Sequence, residues 1–239
     1  MKPVHPIFIY CAFFAWLGIS WSAPNRQPNG IPAGPGSPID SLQLFNTNLY
    51  NQSDLSSQGL SREAFDYAMR GYNKLLAKGK ISRPGYLTIC DFSQSSRRKR
   101  LYLLDITTGE ILMRTYVAHG KNSGLEYATR FSNRAESRQS SLGFYTTLQT
   151  YFGGHGLSLR VQGMEKGIND KALARNIVIH GADYLGDGRS GDFMGRSYGC
   201  PAIPEEECGK LIDLIKNGTC LFIYHPTKQY LKGSRILNG

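Results

Sequence analysis

The chain is short of carboxylates, of long apolar runs and of closely spaced metal ligands. Its 239 residues carry 18 Asp and Glu against 28 Lys and Arg, a formal charge of +10. Such a balance suits anionic partners, but no nucleic-acid-binding module is recognisable, so nucleic acid is not the expected partner. The loop Gly186–Asp192 superficially suggests a calcium site, yet it lacks the distal Glu and the ligand register of an EF-hand. A zinc site from His119, His155, His180 and Cys200 has no close ligand spacing behind it, so no metal is expected. No repeat period is visible. Charged residues make up 19% and hydrophobic residues 41%, which excludes disorder for the chain as a whole.

A single segment is continuously apolar, Ile7 to Ile19, behind Lys2 and ahead of Ser20-Trp21-Ser22. It reads as a secretory signal over residues 1–22, cleaved before Ala23. A retained anchor is the alternative, but the run is short for a bilayer span. The mature protein would then be exported to the periplasm or envelope, with no stable membrane span, and its charge would meet anionic envelope polymer. Four cysteines remain: Cys90, Cys200, Cys208 and Cys220. Cys208 and Cys220 would either bridge or stay buried as thiols, and Cys90 reads as core.

Residues 23–60 open with a Pro/Gly/Asn/Ser-rich linker and continue into a segment without assignment. Residues 61–80 form the clearest helix. Ser61 caps it, Phe65, Ala68, Met69, Tyr72, Leu75 and Leu76 share one face, and Gly79 stops it. From residue 84 to 230 short strands alternate with turns. They are predicted at Tyr86–Phe92, Lys99–Ile106, Ile111–Ala118, Gly143–Thr150, Ser158–Gln162, Asn176–His180 and Cys220–Tyr224. A short helix follows Pro204, with Glu205, Glu206 and Glu207 at its positive end. The fold class is mainly β (α+β), a sandwich or small barrel with a preceding N-terminal helix. The run Arg97-Arg98-Lys99-Arg100 reads as a solvated turn.

The chemistry concentrates in Ile177-Val178-Ile179-His180-Gly181 and, after a Gly- and Asp-rich loop, Arg196-Ser197-Tyr198-Gly199-Cys200-Pro201. An apolar strand delivers His180 to its C-terminal end, and a Gly turn presents the Cys200 thiol. That is the pairing nucleophilic cysteine catalysis needs, with His180 as base. Amides of Tyr198, Gly199 and Cys200 are candidates for an oxyanion hole. Ser197 either folds the turn or bonds His180 or substrate. His155 reads as a turn residue, His225 as a surface residue, and the loop between base and nucleophile as a lid.

These two segments resemble the signature of the L,D-transpeptidase (YkuD-like) catalytic domain, in the branch with Pro after the Cys. The likeness extends to His119-Gly120-Lys121-Asn122-Ser123-Gly124 and Ser140–Tyr145, and covers about Tyr86 to Tyr224. It implies a YkuD-like β fold in which the Cys attacks an L,D bond of a peptidoglycan stem peptide. The terminal D-residue leaves, and an amine or water resolves the thioester. It also implies a His oriented by a backbone carbonyl, and no cofactor. On this resemblance Cys200, His180, Gly181 and Ser197 are catalytic candidates. His119, Arg196 and Lys121 are candidates for substrate binding. Two positions depart from the pattern. Pro201-Ala202 stands where most relatives have Ile or Val and then Arg, and Tyr198 replaces the commoner His. Arg196 is the expected replacement for the missing cation. Transfer versus hydrolysis stays open. So do an L,D-carboxypeptidase or endopeptidase, a silent envelope-binding protein and a general secreted cysteine protease.

Overall fold

A computed structural model describes residues 38–239 except Ser190. The expected signal segment 1–22 and most of the linker lie outside the described residues.

Two helices precede the sheet. α1 (Pro38–Gln52) occupies part of what the composition suggested was linker and unassigned chain. Its Tyr50 explains its place: the ring lies 5.3 Å from Phe65 and the hydroxyl donates to the Leu60 carbonyl at 2.7 Å. α2 (Arg62–Ala77) matches the periodicity closely. The Ser61 hydroxyl accepts from the Ala64 amide, and Phe65, Ala68, Met69, Tyr72 and Leu75 are buried, whereas Leu76, in the last turn, is exposed.

Eight strands form one mixed sheet in the order β3-β2-β1-β8-β4-β5-β6-β7. They are β1 (Tyr86–Asp91), β2 (Leu101–Asp105), β3 (Ile111–Thr115), β4 (Gly143–Gly153), β5 (Gly156–Gly163), β6 (Val178–Ala182), β7 (Ala202–Pro204) and β8 (Cys220–Tyr224). The turn into β3 is set by Asp105, whose carboxylate accepts from the Thr107 amide at 2.8 Å, with Gly109 at φ 81°. β8 runs parallel to β1 and antiparallel to β4, so an apolar strand buried along its length sits mid-sheet. The Phe144 and Phe222 rings stack across it at 4.1 Å. Between β7 and β8, α3 (Glu205–Ile215) buries Cys208, Leu211, Ile212 and Ile215. Two short helices, α4 (Lys228–Gly233) and α5 (Arg235–Asn238), end the chain.

The sheet's two edges meet. Beyond β3, Ala118 bridges Ala202 of β7, with its amide 2.8 Å from the Ala202 carbonyl. The fold is thus α+β, as expected, and its closing contact lies beside the candidate nucleophile. All four cysteines from Cys90 onward are free thiols, so Cys208 and Cys220 do not bridge.

Helix α2 docks through Gly71, where a Cβ would run into the Phe144 ring. Gly71→Ala should therefore destabilise the protein by roughly 1–3 kcal/mol despite alanine's better helix propensity. Urea unfolding followed by circular dichroism checks this; a stabilised variant would show that α2 does not pack this way.

Candidate active site

The site is built at the β6–β7 edge. The parallel register pairs His180 with Ala202, placing Cys200 two residues ahead of His180's partner. His180 lies inside β6 rather than at its end, because Gly181 and Ala182 continue the pairing. The ring is buried, and its Nδ1 is 2.8 Å from the Gly181 carbonyl. A carbonyl only accepts, so Nδ1 carries the hydrogen and Nε2 keeps the lone pair of a base. Burial, and then the neighbouring His155, hold its pKa below the usual 6.5; the Gly181 carbonyl opposes them.

His155 sits on the tip of the β4–β5 hairpin, where Gly153 pairs with Gly156. It is a turn residue as expected, but its ring also stacks on His180, centroids 4.3 Å apart and planes at 21°. The sequence held no signal for this, since the two residues meet only through the β5–β6 pairing.

Cys200 is half-buried, and its Sγ lies 3.7 Å from the Asn176 carbonyl. Burial pushes the thiol pKa up, while the Val178 amide, the Arg175 charge and the residue's own amide pull it down. Among the described residues the thiol makes no hydrogen bond to His180. Such bonds often close only when substrate binds.

The turn carrying the thiol is held internally. The Ser197 hydroxyl donates to the Cys200 carbonyl at 2.6 Å and accepts from the Gly199 amide at 3.0 Å. Ser197 therefore folds the turn and does not reach His180. The Gly199 amide is taken, which removes it from the expected oxyanion donors. Among the described residues the amides of Tyr198 and Cys200 have no acceptor and remain candidates. Gly199 is required by its φ of 126° and by the Gln139 carbonyl, 2.9 Å from where a Cβ would stand. Main-chain bonds on both sides of Ser197 fix the turn: its amide donates to the His119 carbonyl at 3.0 Å, and its carbonyl accepts from Lys121 at 2.8 Å.

Several expectations fail here for physical reasons. His119 does not face substrate, because it has no exposed surface and its Nδ1 accepts from the Arg100 guanidinium at 2.8 Å. Arg100 is no solvated turn residue. It is buried, lies 4.8 Å over the Phe92 ring and donates to the Val117 and Gln94 carbonyls. Arg196 is not free for a substrate anion, since its guanidinium donates to the carbonyls of Lys121 at 2.9 Å and Gly124 at 3.1 Å. The cation whose charge acts on the thiol is instead Arg175, which donates to the Ser132 and Gln139 carbonyls. Tyr184 is also near, its pKa pushed up to about 12 by burial and then by Cys200 and Asp183. The loop between His180 and Cys200 is tethered, with Asp187 paired to Lys99 at 2.8 Å and accepting from the Tyr116 hydroxyl. His225 is half-buried against Phe131 rather than on the surface.

Burial and the Arg100 charge depress His119 to about 3, against an ordinary 6.5. Between those values the unfolded chain binds the proton that the folded one refuses, so stability falls as pH drops through this window. From pH 7 to about pH 4 the loss from this group is roughly 3 kcal/mol at most. Denaturation at both pH values should show a smaller loss in His119→Gln; equal losses would mean that His119 is protonated when folded.

Among the described residues, no group of three or more His, Cys, Asp or Glu side chains is placed to hold a metal, and no helix is long and apolar enough to cross a membrane. The family description "L,D-transpeptidase catalytic domain" matches residues 56–224. No curated protein matches the chain. Among solved structures, an L,D-transpeptidase from Mycobacterium smegmatis is 14% identical, with a TM-score of 0.37. The chain spans 59% of that protein's length, and the similarity covers 59% of this chain. An L,D-transpeptidase from Xylanimonas cellulosilytica is 15% identical over 81% of this chain and 100% of its own, with a TM-score of 0.35. The helical cell shape determining protein Pgp2 from Campylobacter jejuni is 16% identical over 62% of this chain and 50% of its own, with a TM-score of 0.37. The family match extends over most of the sequence, from ahead of α2 to the end of β8, and the chain therefore belongs to the L,D-transpeptidase catalytic-domain family.

Proposed function

We propose that this protein is an envelope peptidoglycan L,D-transpeptidase acting through a Cys200 thioester. The observation that carries this reading is the β6–β7 register. It supports the reading because Cys200, on a turn held by Ser197, stands two residues ahead of the strand partner of His180, whose free Nε2 can act as base.

Burial raises the thiol and lowers the imidazole, so the resting pair is neutral. As Sγ attacks the carbonyl carbon of the L,D bond, the thiol proton passes to His180 Nε2. The developing oxyanion is met by the amides of Cys200 and Tyr198. Collapse breaks the C–N bond. His180 returns its proton to the leaving D-residue's amine, and a thioester remains. An acceptor amine then attacks the thioester, losing its proton to His180, and the thiol is regenerated. Water in the acceptor's place gives hydrolysis. Pro201-Ala202, where relatives carry a cation, is the feature that favours keeping hydrolysis as the second reading.

Mature protein and Cys200→Ala should be incubated with tetrapeptide-stem muropeptides and crosslinked dimers, and the products weighed by mass spectrometry. Crosslinked or D-residue-exchanged products, lost in the variant, are expected. Trimmed products alone would make it a hydrolase, and untouched substrate would favour a binding role.

The pH profile tests the resting state. With His180 held below its ordinary 6.5, the acid limb of kcat/KM should lie under pH 6.5. A limb above that value would indicate a thiolate–imidazolium pair instead.

A further inference from the structure

Beside the thiol lies a cleft of about 750 Å³, lined by Asn122, Arg138, Arg175, Asn176, Ile177 and Tyr198 among others. It adjoins Cys200 through Asn176, whose carbonyl lies 3.7 Å from the Cys200 Sγ, and Tyr198 belongs to the same turn as the thiol. The Tyr198 ring is 65% exposed, unusual for so large a side chain. Two cations converge on it, Lys121 Nζ at 4.5 Å and the Arg138 guanidinium at 5.0 Å from its centroid.

Like charges drawn to one ring repel unless something holds them there. The backbone does. The Lys121 amide is fixed to Ser197. Asn122 binds the opposite segment twice, its amide to the Arg138 carbonyl at 3.1 Å and its side chain to the Ser137 carbonyl at 2.9 Å. That segment carries Glu136 at φ 54° and Arg138 at φ 52°, two left-handed non-glycine residues within three positions. Backbone in that region costs about 1 kcal/mol or more per residue. Beneath, Arg175 donates to Ser132, Ser137, Gln139 and Ser141 and so forms the floor rather than reaching out. Glu136 lines the same cleft, yet among the described residues no ion pair neutralises Lys121 or Arg138.

We propose that this cleft is a carboxylate pocket, in which Arg138 on its lining and Lys121, held over the same Tyr198 ring, receive the terminal carboxylate of the peptide whose carbonyl Cys200 attacks. The proposal rests on the function proposed above. The chemistry fits the distance along the substrate: the terminal carboxylate lies one residue beyond the scissile carbonyl, and the cleft begins beside the thiol. A cation pair with an aromatic wall distinguishes a free acid from an amide or a longer chain. It thereby selects donors whose leaving residue is terminal.

Binding to the Cys200→Ala protein, measured calorimetrically, separates recognition from turnover. The probes are a stem tetrapeptide with a free terminal carboxylate and the same peptide as its terminal carboxamide. The carboxamide should bind about tenfold more weakly. Adding Arg138→Gln or Lys121→Gln to that protein should shrink the difference to about threefold or less, and about 0.5 M salt should do the same. Equal affinity for the two peptides, or a preference untouched by both substitutions, overturns the pocket. Should the carboxylate preference hold while wild-type protein leaves both peptides intact, the pocket stands and the acyl-transfer reading falls. Should wild type process both peptides alike, the pocket falls and the acyl-transfer reading stands.

Discussion

The three-residue parallel pairing of β6 with β7 is the constraint on which the site depends. His180 pairs with Ala202, Gly181 with Ile203 and Ala182 with Pro204. A slip of one residue would turn every side chain of β7 to the other face. So short a strand cannot hold its own register by ladder bonds alone. Register is fixed from outside, by the Ala118–Ala202 bridge on its open edge and by α3, which starts directly after Pro204. The Cys200 turn is clamped in the same way, with Ser197 bonded on both sides to the His119–Lys121 segment. The placement of the thiol is therefore a property of three chain segments together.

That clamp needs a rigid support, and Arg100 with His119 supplies it. A guanidinium with no carboxylate in contact is costly to bury. Here three acceptors satisfy it: the Val117 and Gln94 carbonyls and the His119 ring. The neutral imidazole is therefore part of the support, since a charged one could not accept from Arg100. The segment bearing His119 also carries Ala118 and Lys121, which touch β7 and the Cys200 turn. A polar block inside the sheet thus determines the geometry at its edge.

What was legible in the sequence follows the range of the forces involved. Helix α2 could be read because burial repeats every turn within one element. β8 could be read because a fully buried strand is a continuous apolar run. Cys200 and His180 were singled out by motif, which compresses long-range geometry into spacing. The misread residues were those whose role depends on a partner far along the chain. Arg100 looked like surface charge until β1, β2 and the 117–119 segment enclosed it. His155 looked like a hairpin tip until β5 paired with β6. Arg196 and Arg175 were equally basic on paper. Only the fold gives the first to the Lys121 and Gly124 carbonyls and sets the second near the thiol. α1 escaped because its anchors, Tyr50 against Phe65 and Leu60, are tertiary rather than periodic.

Electrostatics at the site favour reactivity on demand over a standing nucleophile. A preformed thiolate would require the environment to lower Cys200 and raise His180. Burial acts in the opposite direction on both, and His155 adds to it at the base. A neutral thiol is a weak nucleophile, and it is also a poor target for oxidants and stray electrophiles, which attack thiolates. The groups that would stabilise charge are already in place and unchanged by protonation: the Val178 amide, the residue's own amide and the Arg175 guanidinium. They gain strength only once negative charge appears on sulfur or on the carbonyl oxygen, which is the condition for accelerating the chemical step rather than the resting state. A substrate held by its terminal carboxylate would bring the carbonyl to the thiol, close the site to water and strengthen those interactions at that moment. On the proposed function, binding in the cleft and activation of Cys200 are then successive consequences of the same desolvation.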